Sequence, residues 1–209
     1  MNKQADPLVP EKLCLIDHAI ECHNVQTFAD LGGFWGVLGG YSEYATNKGL
    51  KGTLVDLAAD QLTHLEDKVK LLQGNFATNV IAKQVNADCL FFFDVLLHQV
   101  KPNWDYVLRL YKNRAKVFLI FNQQWTGTKN TVRLPDLGEE AFVIETPAKI
   151  LSNPLANPDS RGIWQWGITF DNLLAEMRFN GFELTYFKNC GQAWELPNFE
   201  LHAYCFVKK

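Results

Sequence analysis

This sequence of 209 residues predicts an α/β fold built on a doubly wound, mostly parallel sheet, and three observations carry that prediction. Short apolar runs alternate with helical stretches from Phe28 to Phe121, the order that crossover helices on a parallel sheet require. The first of those runs reaches an acid, Asp30, and turns at once through Gly32, Gly33 and Gly36. The second, Gly52-Thr-Leu-Val-Asp56, also closes on an acid.

Each element follows from its own pattern. Residues 10–22 are amphipathic, with Leu13, Ile16 and Ile20 at helical spacing, and predict a helix beside the sheet. Phe28 to Leu31 is the first strand, and Leu38 to Lys48 its crossover helix, stopped by Gly49. Gly39-Gly40 before Tyr41 lengthens the turn between them. Gly52 to Asp56 is the second strand, followed by a predicted helix over 58–68 with Leu62 and Leu65 inward. Val69 to Gln73 is a third strand closing on Gly74-Asn-Phe76, and 79–85 reads as helical. Cys89 to Asp94 is a fully buried fourth strand. Trp104, Val107, Leu108 and Tyr111 mark a helix, and Lys116 to Phe121 a fifth strand. From Asn122 to Gly167 the chain carries Pro135, Pro147, Pro154 and Pro158 with little periodicity, which suggests a lid or substrate segment. Thr169 is placed to cap a helix running to Phe179, with Asp171 in its first turn and Gly181 as its stop. Phe182–Phe187 and Leu201–Val207 alternate as two closing strands, bringing the total to seven. The length favours a single domain, 1–209, with an insertion at about 122–167.

Composition narrows the function classes. Apolar residues at 47% support a substantial core, and no run approaches the roughly 20 residues of a membrane span. The first residues, Met1 to Pro7, lack a signal-peptide pattern, so the expected location is cytoplasmic. A net charge of −3 argues against a large nucleic-acid surface. Five cysteines are scattered without a C-x-x-C pair and read as reduced packing residues; Cys22-His23 is an adjacent ligand pair with no second half, so no metal is expected.

The chemistry lies in the glycine turn. Glycines let backbone approach a ligand closely, and the helix after them presents free N–H groups to an anion. Asp56, at the end of the second strand, can accept both hydroxyls of a ribose. A dinucleotide site would show G-x-G-x-x-G, of which Gly36-Val-Leu-Gly39 is only a fragment. An acid just before the turn repels pyrophosphate and attracts a cationic amine. Asn75 and Phe76 emerge beside the second strand, where they can meet an adenine by its edge and its face.

The segment Asp30-Leu-Gly-Gly-Phe-Trp-Gly36 resembles motif I, D/E-x-G-x-G-x-G, of the class I S-adenosylmethionine-dependent methyltransferases. Asp30, Gly32 and Gly36 fit it, while Phe34 stands where the middle glycine belongs and must point away from the ligand or reshape the turn. Phe92-Phe-Asp-Val-Leu-Leu-His98 is similar to the family's acid-ended fourth strand with an apolar pair and a histidine after it. The resemblance implies a Rossmann-like seven-stranded sheet whose last strand inserts antiparallel beside the sixth. It implies S-adenosylmethionine as cofactor, S-adenosylhomocysteine as product, and a small-molecule methyl acceptor. The cofactor contacts it implies are Asp30, Leu31, Gly32, Gly33, Phe34, Gly36, Asp56, Leu57, Asn75, Phe76, Asp94 and Val95. His98 is the candidate general base, with capping of its loop as the alternative. Gln124, Trp125 and Trp166 are expected on the acceptor side, where Trp164 and Trp194 could also fold over. Two other classes stay open: a small NAD(P)-dependent oxidoreductase and a catalytically silent partner protein that binds S-adenosylmethionine.

Overall fold

The computed structural model describes residues 5–35, 37–99, 101–136, 163–193 and 198–209. Its strands are β1 (Thr27–Leu31), β2 (Lys51–Asp56), β3 (Lys70–Gln73), β4 (Cys89–Phe93), β5 (Val117–Trp125), β6 (Val132–Asp136), β7 (Ile163–Gly167), β8 (Phe182–Gln192) and β9 (Phe199–Lys208). Seven of them form one sheet in the order β3-β2-β1-β4-β5-β9-β8, and β6 pairs with β7 as a separate antiparallel ribbon. β1 to β5 pair in parallel, while β9 runs antiparallel to both β5 and β8. The seven-stranded, mostly parallel sheet with an antiparallel last strand is thus as the sequence predicts. β1 lies between β2 and β4, so the chain winds outward from it in both directions, and ligands in such sheets bind outside the carboxyl ends at that reversal.

Both faces of the sheet are covered, which is why β4 reads as an unbroken apolar run. Leu90 and Phe92 face a core shared with the helices α4 (Trp104–Tyr111) and α5 (Phe170–Phe179). Cys89, Phe91 and Phe93 face the opposite core, shared with α1 (Pro10–His23) and α2 (Gly40–Asn47). Phe28 stacks on Phe91 with centroids 5.0 Å apart, and a Cβ at Gly52 would fall 2.1 Å from the Phe28 ring, so only glycine lets this layer close. The Thr169 hydroxyl accepts the Asn172 N–H at the start of α5, and Gly181 takes a φ of +85° just beyond its end. No helix among the described residues is long and apolar enough to cross a membrane.

Three expectations change. The predicted helix over 58–68 is two short 3₁₀ turns, Ala59–Gln61 and Thr63–Leu65. Buried Ala59, Leu62 and Leu65 are spaced by three, a period that a 3₁₀ helix satisfies better than an α-helix. The Asp56 carboxylate also takes the Ala58 N–H at 3.0 Å, fixing a turn where the α-helix would begin. The predicted helix over 79–85 shortens to α3 (Asn79–Ala82), capped by Thr78. β5 continues through the polar residues Asn122 to Gln124, because β9 pairs with it from Val117↔Val207 to Trp125↔Phe199. The 122–167 insertion therefore begins inside the sheet and contains the β6–β7 ribbon; its part from 137 to 162 lies outside the described residues.

Candidate active site

At the end of β1 the Gly32 N–H donates to the Val55 carbonyl at 2.8 Å, and Gly32 takes a φ of +85°. A Cβ there would come 2.7 Å from Val95 Cγ1, and one at Gly33 would come 2.5 Å from Asp30 Oδ2. The glycines therefore let three chain segments converge. The Gly39 N–H closes the turn on the Gly33 carbonyl at 2.8 Å, with Leu38 and Gly39 both at positive φ. Phe34 turns its ring into the α1/α2 core, edge-on to Trp35, while its backbone N–H donates to Asp56 Oδ2 at 3.2 Å. The residue in the middle-glycine position thus keeps its side chain out of the cleft. Gly36 lies outside the described residues.

The two strand-end acids are buried. Asp56, 4% exposed, accepts the Phe34 N–H on one oxygen and the Ala58 N–H on the other. Asp30, 2% exposed, accepts the Ser42 hydroxyl at 2.8 Å. Burial pushes the Asp30 carboxyl up to about 6, against the Ser42 hydrogen bond and the Lys12 charge, with Asp56 adding a like-charge push upward.

Lys12 is a charged residue of the cavity lining that sequence reasoning missed. It reaches from α1 to Asp94 Oδ2 at 2.6 Å, with Nζ 5.0 Å from the ring centroids of both Tyr41 and Phe121. Aromatic faces and a carboxylate are the partners that a cation 6% exposed needs. Asp94 sits at a φ of +55°, and its second oxygen is buried with no hydrogen-bond partner among the described residues. The pair joins positions far apart in sequence. The only local signal was a lysine on the apolar flank of a helix, and lysines there ordinarily reach for solvent.

These groups line a cavity of about 770 Å³ at the carboxyl ends of β1 to β4. Of the predicted cofactor residues, Asp30, Gly32, Gly33, Asp56, Leu57, Asn75, Phe76, Asp94 and Val95 border it, and Leu31 and Phe34 do not. Leu31 and Phe34 are instead buried in the two cores. Asn75 Oδ1 accepts the Ala77 N–H at 2.8 Å, holding the loop that carries Phe76. His98, exposed on a 3₁₀ turn (Leu96–His98), stands at the rim with Gln99 and Lys101. Trp35 and Leu57, 71% and 66% exposed, are apolar rim residues of the same opening.

The predicted acceptor residues are placed differently. Gln124 is fully buried, donating to the Ile168 carbonyl at 2.5 Å and accepting the Tyr204 hydroxyl at 2.9 Å. Trp125 packs on Phe199 at 5.0 Å and donates to the Thr128 hydroxyl. Both are consumed by the β5–β9 junction and do not border the cavity. Trp166 stands one layer behind the cavity wall: its indole N–H donates to the Gln99 carbonyl at 2.7 Å, and the Arg133 guanidinium covers its ring at 4.5 Å. Trp194 and the side chain of Trp164 lie outside the described residues.

No family model matches the sequence, and no curated protein matches it. Solved structures do match in fold. A 1,6-didemethyltoxoflavin-N1-methyltransferase from Burkholderia thailandensis, with 1,6-didemethyltoxoflavin and S-adenosylhomocysteine bound, superposes with a TM-score of 0.63 at 13% identity over 96% of this chain and 77% of that one. An S-adenosylmethionine-dependent methyltransferase from Clostridium acetobutylicum gives 0.64 at 10% identity over 97% and 93%. Human N-acetylserotonin methyltransferase, in complex with S-adenosylmethionine, gives 0.59 at 15% identity over 95% of this chain and 51% of that one. The fold is that of the class I S-adenosylmethionine-dependent methyltransferases.

Proposed function

We propose that the protein is an S-adenosylmethionine-dependent methyltransferase acting on a small-molecule acceptor. The observation that carries this reading is the cavity, with a buried acid at the end of β1, a second at the end of β2 and a glycine turn between them. Asp56 is assigned the ribose hydroxyls, since its carboxylate has acceptor capacity beyond the two backbone N–H groups it already takes. Asn75 and Phe76 take the adenine. The amino-acid end lies toward Asp30 and the Lys12–Asp94 pair. There the carboxylates suit the ammonium, and the Lys12 cation, contributed by α1, suits the carboxylate.

The sulfonium supplies an activated methyl group. With the cofactor held by Asp30, Asp56 and the glycine turn, an acceptor lone pair would displace the methyl carbon from sulfur, the carbon–sulfur electrons staying on sulfur as S-adenosylhomocysteine. Alignment of the three atoms supplies much of the barrier reduction. The acceptor proton goes to solvent or to His98, whose place at the rim suits a base for acceptors that need one. The bound 1,6-didemethyltoxoflavin of the Burkholderia enzyme supports an acceptor of heteroaromatic size. The apolar rim formed by Trp35 and Leu57 supports the same size class. The β6–β7 ribbon is read as part of the acceptor-side lid expected of the 122–167 insertion.

Thermal denaturation with S-adenosylmethionine, S-adenosylhomocysteine, NAD and NADP tests the reading. Stabilisation by the first two alone is expected. Stabilisation by a nicotinamide dinucleotide alone would overturn it in favour of an oxidoreductase.

A further inference from the structure

We propose that His18, His23 and Cys205 form a metal site that takes zinc, on the face where α1 packs against β9 and apart from the cavity. In sequence, Cys22-His23 is a ligand pair without a second half. The fold gives His23 other partners, His18 on the same helix and Cys205 on β9, because α1 packs against β9. One ligand atom from each of the three residues lies within 4.8 Å of the others. Tetrahedral zinc, with bonds of about 2.0–2.3 Å, asks for ligand atoms roughly 3.3–3.8 Å apart. Rotations moving the side-chain ends by about an ångström close that difference.

The donor set fits the metal. Two imidazoles and a thiolate are a borderline-soft combination that suits zinc and leaves a fourth, tetrahedral position for water. The rings are already held: His18 packs on Tyr186 with centroids 4.8 Å apart and edge-on to His23 at 5.3 Å. His18 Nε2 is nonetheless buried with no hydrogen-bond partner among the described residues. His23 Nε2 lies 3.3 Å from the Thr185 hydroxyl, which itself donates to the Cys205 carbonyl, so a second layer orients two of the ligands. Burial lowers the His23 imidazole, which favours the neutral form a metal needs. Burial pushes the Cys205 thiol up to about 11, so the thiolate forms only as the metal binds, its proton passing to solvent. Both histidines are only half-buried, which leaves an entry path. A bound ion would staple the end of α1 to the sheet, and the other end of that helix carries Lys12 into the cavity.

Titration of the full chain with Co²⁺ alone, followed by displacement with Zn²⁺, tests the site. The expected result is about one equivalent of tetrahedral Co²⁺ with a thiolate-to-cobalt charge-transfer band. Cys205→Ser should remove that band, and His18→Gln or His23→Gln should each weaken binding at least about tenfold. Zn²⁺ should raise the melting temperature of the natural chain and not of the double histidine variant. Absence of the band at a hundredfold excess of Co²⁺ overturns the proposal. So does a band that survives Cys205→Ser and disappears in Cys22→Ser. If Cys205→Ser does not fold, the double histidine variant decides, because unchanged Co²⁺ binding there also overturns the site.

Discussion

Two polar clusters stand over the same carboxyl edge of the sheet, one at the ends of β1 to β4 and one at the junction of β5 and β9. Both are buried, yet they are finished differently. At the junction, Gln124 uses both ends of its amide, Tyr204 donates to it, and the two nitrogens of His202 lie 2.8 Å from the Tyr204 hydroxyl and 2.9 Å from Glu200. Only Asn122 Oδ1 of that group is left without a partner among the described residues, and Asn122 does not border the cavity. At the β1–β4 ends, Asp30, Asp56 and Asp94 are held by a few protein donors and face about 770 Å³ of open space. Burial of polar groups therefore does not by itself mark a site. Capacity left over next to a cavity does.

The difference is sharpest in charge. Asp30 has its carboxyl pushed up to about 6 when folded, against about 4 when unfolded. The folded chain thus binds more protons between those values, and the stability this group contributes is present below pH 4 and lost as pH rises to 6. The loss amounts to about 3 kcal/mol by linkage. Asp30→Asn keeps a partner for Ser42 and cannot ionise. It should flatten that part of the urea-unfolding profile, stabilise the free protein near neutrality and weaken cofactor binding. An unchanged slope between pH 4 and 6 in the variant would show that Asp30 is not the strained group.

Asp56→Ala should come next in size. It orphans the Phe34 and Ala58 N–H groups and removes the proposed ribose acceptor, so affinity for S-adenosylhomocysteine should fall by about 1–3 kcal/mol. Equal affinity by calorimetry would detach the cavity from the adenosine. Gln124→Leu should do the opposite. It deletes two buried hydrogen bonds, although the Ile168 carbonyl keeps the Trp125 N–H and the Tyr204 hydroxyl keeps His202, costing about 1–2 kcal/mol of stability, with cofactor affinity unchanged. A loss of affinity as large as the loss of stability would mean that the two clusters act as one.

What the sequence disclosed follows the same division. Asp30, Gly32, Gly33 and Asp56 were legible because a strand end, a tight turn and the next strand end are local, and the apolar runs fixed the pleat beneath them. Lys12 was not, since it meets Asp94 and the rings of Tyr41 and Phe93 only after α1 packs on the sheet. Gln124 and Trp125 were assigned to an acceptor pocket because polar and aromatic residues past the fifth strand look like loop. Pairing with β9 made them strand instead. Leu62 and Leu65 were read correctly as inward, and with buried Ala59 their period of three belongs to 3₁₀ turns. The nearness of Cys205 to His18 and His23 could not be read locally, because Cys205 sits on the last strand.

The smallest effect concerns a hydrogen bond between the insertion and the cavity wall. Trp166, on β7, donates its indole N–H to the carbonyl of Gln99, and Gln99 borders the cavity. Its other side is held by Arg133, a buried guanidinium pulled down to about 10 by burial and still cationic at neutral pH. If the ribbon is the acceptor-side lid of the proposed enzyme, this hydrogen bond ties lid to wall without touching the cofactor. Trp166→Phe preserves a ring for Arg133 and deletes only the N–H. One neutral hydrogen bond is worth about 1 kcal/mol, so turnover should drop about fivefold, with S-adenosylhomocysteine affinity within twofold of the natural chain. Amide exchange of Val132 and Arg133 should quicken in the variant, because the ribbon has lost its anchor. An affinity loss equal to the turnover loss would place the ribbon on the cofactor side, and the contrast between the two clusters would have to be redrawn around Gln99.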